Sequence, residues 1–174
     1  MSEGDEAAKT VWEGKYLKVA KQGTWEYVSR TRGINAAVIL AIDEGHVILI
    51  EQYRVPVGAR CVELPAGLVG DETAGEAIEA AAIRELEEET GYHAERMVDL
   101  GRFQSSPGMT SEAFTLLRAE GLTRVGEGGG IGAHEDIEVH RVALQAVSAF
   151  IEAKRAQGAS VDVKLLLLLA AQLL

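Results

Sequence analysis

A mixed α/β sandwich is the fold class this sequence predicts, and three observations carry it. Short apolar, β-branched runs bounded by turn residues recur along the chain, as strands of a buried sheet do. Segments of helical period are interleaved with these runs rather than segregated from them. Finally, 174 residues with 47% hydrophobic content give enough length for one domain with a sizeable core, and no internal repeat or long linker divides the chain.

Taken in order, residues 1–10 are polar and acidic and read as a loose tail, and residues 11–174 as a single domain. Strand-forming residues at 16–21 and 25–30 flank Gln22-Gly23-Thr24, so the stretch 11–32 predicts an N-terminal strand pair. A second hairpin is predicted from residues 36–42 and 46–53, joined by Asp43-Glu44-Gly45. Residues 61–64 form a short strand stopped by Pro65 and Gly67, and residues 68–75 a loop. The stretch 76–90 predicts a helix, because Ile78, Ala81, Ala82 and Leu86 follow helical spacing and Gly91 is a natural C-cap. Strands follow at 97–104 and 113–119. Five glycines between 126 and 132 predict a mobile loop. Residues 137–144 return to strand, and helices at 145–156 and 161–174 are separated by Gln157-Gly158-Ala159.

Charge and composition narrow the partners. A formal net charge of −10 repels a polyphosphate backbone, which argues against nucleic acid. The N-terminus has no apolar signal segment, and the apolar run 165–174 is too short to span a bilayer, so no membrane partner is expected. The single cysteine, Cys61, allows no disulfide within the chain and reads as a buried apolar residue; a cytoplasmic location is expected. Trp12 and Trp25 suit either base stacking or packing in a core or interface. Gly128-Gly129-Gly130-Ile131-Gly132-Ala133 resembles a loose dinucleotide fingerprint but precedes a strand instead of opening a helix. His134-Glu135 lacks the second histidine of a zincin, and neither a P-loop nor a Gly-x-Ser-x-Gly elbow is present.

The chemistry concentrates in the helix. Glu85, Glu88 and Glu89 stand at i, i+3 and i+4 and so share one face. Three like charges there destabilise a bare helix, and a hard divalent cation would reverse that cost, since magnesium favours carboxylate and water oxygens. A solvated acidic face is the plainer reading of such a run. The order of residues favours the metal.

Gly70, Glu76 and Arg84-Glu85-Leu86-Glu87-Glu88-Glu89-Thr90-Gly91-Tyr92 resemble the Nudix box of the Nudix hydrolase superfamily. Every fixed position from 70 to 91 matches; Tyr92 stands where an aliphatic residue is usual. Further stretches resemble the ADP-ribose pyrophosphatase and nucleoside-diphosphate-sugar hydrolase branch. They are Glu51-Gln52-Tyr53-Arg54, Glu63-Leu64-Pro65-Ala66-Gly67 and Ser106-Pro107-Gly108-Met109-Thr110-Ser111-Glu112. Gly128-Gly129-Gly130, followed by Glu135-Asp136-Ile137-Glu138-Val139, resembles the GDP-mannose hydrolases of that branch.

The resemblance implies the Nudix α/β/α sandwich with a mixed sheet and the N-terminal strand pair added. It implies Mg2+, or Mn2+, held by Glu85, Glu88 and Glu89 with a backbone carbonyl of Ala66 or Val69, depending on whether Gly67 or Gly70 is the box glycine. Arg84 would orient the glutamates through Glu76, with Arg84, Glu88 and Glu135 in the catalytic set. Arg54 would contact substrate phosphate and Glu112 shape the site. Glu135 would supply a loop carboxylate, as metal ligand or general base. Ala133 occupies a position where relatives often carry a second glutamate, so Glu135, Glu127 and His134 are all candidate bases, in that order. The implied reaction is hydrolysis of ADP-ribose to AMP and ribose 5-phosphate. GDP-mannose or another nucleotide sugar, a nucleoside triphosphate, or a non-catalytic sensor of nucleotide sugars are the alternatives. The branch also implies a homodimer built on residues 12–30.

Overall fold

The computed structural model describes residues 6–31, 35–69, 77–130 and 136–173. Three strands come first: β1 (Lys9–Glu13), β2 (Leu17–Gln22) and β3 (Trp25–Arg30), paired antiparallel in that order as a separate small sheet. The expected β2–β3 hairpin is present, with Gln22 opposite Trp25. A third strand joins it, and that strand begins at Lys9, inside the stretch read as a tail. Its apolar residues Val11 and Trp12 are adjacent rather than alternating, which hides a strand whose five residues are all exposed.

The main sheet is mixed. β4 (Asn35–Asp43) and β5 (His46–Arg54) meet only at their turn, through Ile42–Val47 and Asp43–His46. Beyond that point β4 pairs antiparallel with β7 (Ala66–Val69) and parallel with β9 (Ala113–Arg124), which pairs with β8 (Tyr92–Gln104). β5 instead pairs with β6 (Ala59–Glu63) and β10 (Glu138–Ala143), and β6 carries the short parallel β11 (Ser160–Val161). Residues 66–69 are therefore strand, where a loop from 68 onward is the sequence expectation; the ladder to β4 supplies order that a Gly- and Pro-flanked stretch does not signal locally. The helix expected over 161–174 begins later, as α3 (Leu166–Leu173), after β11 and a 3-10 turn at Val163–Leu165. Asp162 caps that turn by accepting from the Lys164 amide at 2.7 Å.

Val47, Ile48, Leu49 and Ile50 are all fully buried, as expected of a strand covered on both faces. Period-two alternation divides them: Val47 and Leu49 join Val38, Leu40, Ile151 and Leu165 beneath α2 (Val147–Ala156) and α3. Ile48 joins Ala37, Ile39, Ala82, Leu86 and Leu117 beneath α1 (Ile78–Thr90). Two apolar layers on opposite sides of one sheet make the α/β/α sandwich. Each fully buried Leu or Ile side chain contributes roughly 2 kcal/mol by removal from water.

α1 positions the site. Its sequence is rich in Ala, Leu and Glu, all strong helix formers. The buried stripe Ala81, Ala82, Leu86, Glu89 and Thr90 faces the sheet. Gly91 ends the helix in the left-handed conformation, φ 73°, donating its N–H to the Glu87 carbonyl. The chain passes directly into β8, which starts at Tyr92, five residues before the strand that sequence pattern signals.

Candidate active site

Glu89 projects from the buried edge of α1 and accepts a hydrogen bond from the Ala66 amide at 3.0 Å. Its exposure is 8%, and among the described residues no lysine or arginine lies within ion-pair distance. Burial dominates its acidity, pushing the carboxyl up to about 8. The Ala66 N–H opposes that rise, the Glu85 charge adds to it, and Arg54 opposes it from a distance. Arg84 lies between the other two glutamates, 3.1 Å from Glu85 and 3.0 Å from Glu88. It thus orients carboxylates on its own helix; the expected partner Glu76 lies outside the described residues.

Gly67 sets how closely α1 approaches β7. A Cβ built there would lie 2.1 Å from Glu85 Cγ and 2.2 Å from its Cδ, so only glycine lets that side chain lie across the strand. The Ala66 bond and the Gly67 contact bring this end of β7 against Glu85 and Glu89. Val69 pairs with Asn35 at the other end of the same strand.

A cavity of about 630 Å3 opens beside these groups, lined among others by Arg30, Arg54, Glu63, Ala66, Glu112 and Lys164. The structure thus brings together Arg54, Ala66 and Glu112, which are far apart in the chain. Arg54 donates to Glu63 through Nε at 2.7 Å and Nη2 at 2.8 Å, and that pairing raises its pKa further. Glu112 accepts from Arg30 Nη2 at 2.6 Å and Nε at 3.0 Å, which ties the loop before β9 to β3. Lys164 pairs with Asp162 at 2.6 Å.

Arg30, Glu63, Asp162 and Lys164 stand outside the residues that sequence reasoning singles out for the site. Asp162 carries a usable signal, an Asp two residues before Lys164 at a helical start. Arg30 carries none, since its partner is 82 residues away. Cys61 also lines the cavity; burial and the nearby Glu63 push its thiol up to about 12, so it is no nucleophile at neutral pH.

Of the candidate bases, Glu127 is exposed and pairs with Arg124 at 3.2 Å. Glu135 and His134 lie outside the described residues. The glycine-rich loop expected to be mobile is tied down over the part described: Gly126, Gly129 and Gly130 all donate backbone hydrogen bonds to the end of α1 or to Gly91.

The donor set fits a hard divalent cation. Glu85 and Glu88 flank Arg84, and Glu89 lies beside them against Ala66. The acidity of Glu89 is weakened by burial and by the Glu85 charge, a cost that a bound cation would remove. The three carboxylates do not by themselves bring ligand atoms within 4.8 Å of one another. A second group fits less well. Glu51, Glu138 and His140 bring ligand-type atoms within 4.8 Å of one another. Yet Lys154 Nζ lies 2.6 Å from Glu51 and Arg60 Nε 3.4 Å from it. Those cations already neutralise the carboxylate and would repel a metal ion.

The NUDIX domain family matches residues 31–160, three quarters of the chain. This protein belongs to the NUDIX family. The matched range includes α1 and the glutamates that carry the resemblance to the box. Over 123 residues the chain is 36% identical to an ADP-ribose pyrophosphatase of Bacillus subtilis, covering 71% of this chain and 65% of that one. It is 37% identical over 119 residues to a methanol dehydrogenase activator of Bacillus methanolicus, covering 68% and 63%. To a mouse ADP-sugar pyrophosphatase it is 42% identical over 101 residues, covering 48% and 45%. The chain thus spans less than two thirds of the length of these curated relatives. The crystal structure of an ADP compounds hydrolase superposes with a TM-score of 0.70 at 23% identity, covering 96% of this chain and 91% of that one, which establishes the shared fold.

Proposed function

We propose that this Nudix protein hydrolyses the pyrophosphate bond of a nucleoside-diphosphate sugar, with ADP-ribose, cleaved to AMP and ribose 5-phosphate, as the favoured substrate. The observation that carries this reading is the buried Glu89 carboxylate, with no lysine or arginine paired to it among the described residues, held against Ala66 in the wall of a cavity large enough for a nucleotide sugar. The similarity to ADP-ribose and ADP-sugar pyrophosphatases supports the substrate class.

Glu85, Glu88 and Glu89, with the Ala66 carbonyl, would hold Mg2+ or Mn2+; the Ala66 amide bond to Glu89 favours Ala66 over Val69. When bound, the metal offsets the charge of the diphosphate and activates water for attack. Arg84 holds Glu85 and Glu88 in place. Arg54 turns its guanidinium to phosphate oxygens while Glu63 anchors it from behind. Glu112 shapes the cavity wall through Arg30. Water adds to one phosphorus, the bridging P–O bond breaks, and one proton leaves to a loop carboxylate, for which Glu135 is the first candidate. The three-stranded sheet exposes Val11, Trp12, Tyr16, Leu17 and Trp25, an apolar surface suited to a homodimer; sedimentation at micromolar concentration as a monomer would remove that part of the reading. No described helix is long and apolar enough to cross a membrane.

The test is a product assay with Mg2+ and then Mn2+ against ADP-ribose, GDP-mannose, UDP-glucose and nucleoside triphosphates. A nucleoside monophosphate and a sugar phosphate from ADP-ribose is the expected result. The same cut in another nucleotide sugar moves the substrate, and pyrophosphate from a triphosphate replaces the reading. Affinity for a nucleotide sugar without turnover makes the protein a sensor.

A further inference from the structure

The end of α1 has an unusual cap. A helix leaves its last carbonyls without intrahelical partners, and a local turn normally satisfies them. Here only the Glu87 carbonyl is satisfied that way, by Gly91. The Glu88 carbonyl accepts from the Gly130 amide at 3.0 Å and the Glu89 carbonyl from the Gly129 amide at 2.9 Å, some forty residues further along the chain. Gly126 and Val125 donate to the Gly91 carbonyl at 3.0 and 2.8 Å. The loop and the helix end interlock through glycines. A Cβ on Gly128, whose φ is +72°, would lie 2.4 Å from the Thr90 carbonyl carbon and 2.7 Å from the Glu89 oxygen. A Cβ on Gly91 would lie 2.3 Å from the Gly126 oxygen. All of these are backbone atoms, which cannot swing aside.

The residues whose carbonyls the loop holds are two of the three glutamates of the expected metal site: the Glu89 carboxylate meets the Ala66 amide, and the Glu88 carboxylate meets Arg84 beside Glu85. We propose that the segment Gly126–Gly130 is a positioning element for the metal-binding glutamates, setting the axial place of the last helical turn and hence the geometry of Glu88 and Glu89. The inference rests on the metal-binding reading of the box and adds a loop outside the box to the parts that hold it. Because coupling is reciprocal, cation binding at the carboxylates tightens the loop, and loosening the loop weakens cation binding.

The test follows Mn2+ binding to the substrate-free protein by electron paramagnetic resonance, with Glu89→Gln, Gly128→Ala and Gly158→Ala beside the wild type. Gly158 has an equally left-handed φ of +90° with open space around it, so it reports backbone strain alone. Gly128→Ala is expected to bind Mn2+ about tenfold more weakly, the scale of lost support behind a metal ligand. Gly158→Ala is expected to bind as the wild type does. Wild-type affinity in Gly128→Ala overturns the positioning role, and so does an equal loss in Gly158→Ala. If the wild type binds no better than Glu89→Gln, the metal-site reading itself fails. Should Gly128→Ala not fold, hydrogen exchange on the wild type decides: Mn2+ should slow exchange of the Gly129 and Gly130 amides about tenfold. Unchanged exchange with Mn2+ bound overturns the proposal.

Discussion

Glu51 and Glu89 are both buried glutamates of this fold, exposed by only 5% and 8%, yet they lie on opposite sides of the sheet and are compensated in opposite ways. Glu51, at the end of the β5 face that packs beneath α2, meets Lys154 at 2.6 Å, His140 at 2.9 Å and Arg60 at 3.4 Å. Burial pushes its acidity one way, but the bonds from Lys154 and His140 outweigh it and hold the carboxyl below the usual range. Glu89 has one backbone N–H and a neighbouring glutamate, and its carboxyl is pushed up to about 8. A buried charge is retained only with a partner. Glu51 has its partners within the chain, and its network is structural. Among the described residues, Glu89 has no lysine or arginine within ion-pair distance. Glu63 falls between them, buried with one arginine, Arg54, which lines the cavity.

The largest effect that separates the two glutamates should come from neutralising each. Glu89→Gln is expected to lower Mg2+-dependent turnover by roughly a hundredfold or more, as loss of a metal ligand should. Its metal-free thermal midpoint should not fall, because glutamine keeps the bond from Ala66 without a buried charge. A folded variant with near-normal rates would end the assignment. Glu51→Gln should do the reverse. It leaves Lys154 and Arg60 facing a neutral group and is expected to cost about 3 kcal/mol in urea unfolding, with little change in turnover per folded molecule.

The pH dependence sharpens the contrast. The folded pKa of Glu51 lies below its ordinary 4.5. Its stabilisation is therefore fully present above that value and is lost as pH falls through the folded pKa. The stability gap between wild type and Glu51→Gln should be constant near neutrality and close in acid below 4.5; a gap that widens in acid would contradict the network. The smallest effect is expected at the intermediate case. Arg54→Lys keeps the charge but loses the fork, so KM should rise about tenfold with kcat changed less. An unchanged KM would leave Arg54 as the structural partner of Glu63 alone.

The helix and its chemistry were legible because they are local. Ile78, Ala82 and Leu86 mark the buried stripe, Gly91 the end, and the glutamates the face, all within a few turns. The β4–β5 hairpin was legible from Asp43-Glu44-Gly45 for the same reason. β1 was not, because its apolar residues Val11 and Trp12 are adjacent, and an exposed edge strand of this kind carries no period-two apolar signal. Nor was β7, whose order comes from a ladder to β4 about thirty residues earlier. The loop at 126–130 reads as mobile by composition, yet its amides cap a helix that ends near residue 90.

By itself, then, the sequence determined the fold class, the family motif and the carboxylates that could bind a cation, since periodicity and spacing are properties of neighbours along the chain. Only the tertiary structure decided which buried carboxylate is neutralised from within and which, among the described residues, has no lysine or arginine beside it. It also decided that Arg54 leans on Glu63, that Arg30 reaches Glu112, and that distant glycines support Glu88 and Glu89. Burial and charge pairing depend on groups brought together across the sandwich, and no local pattern encodes which lysine or amide will arrive.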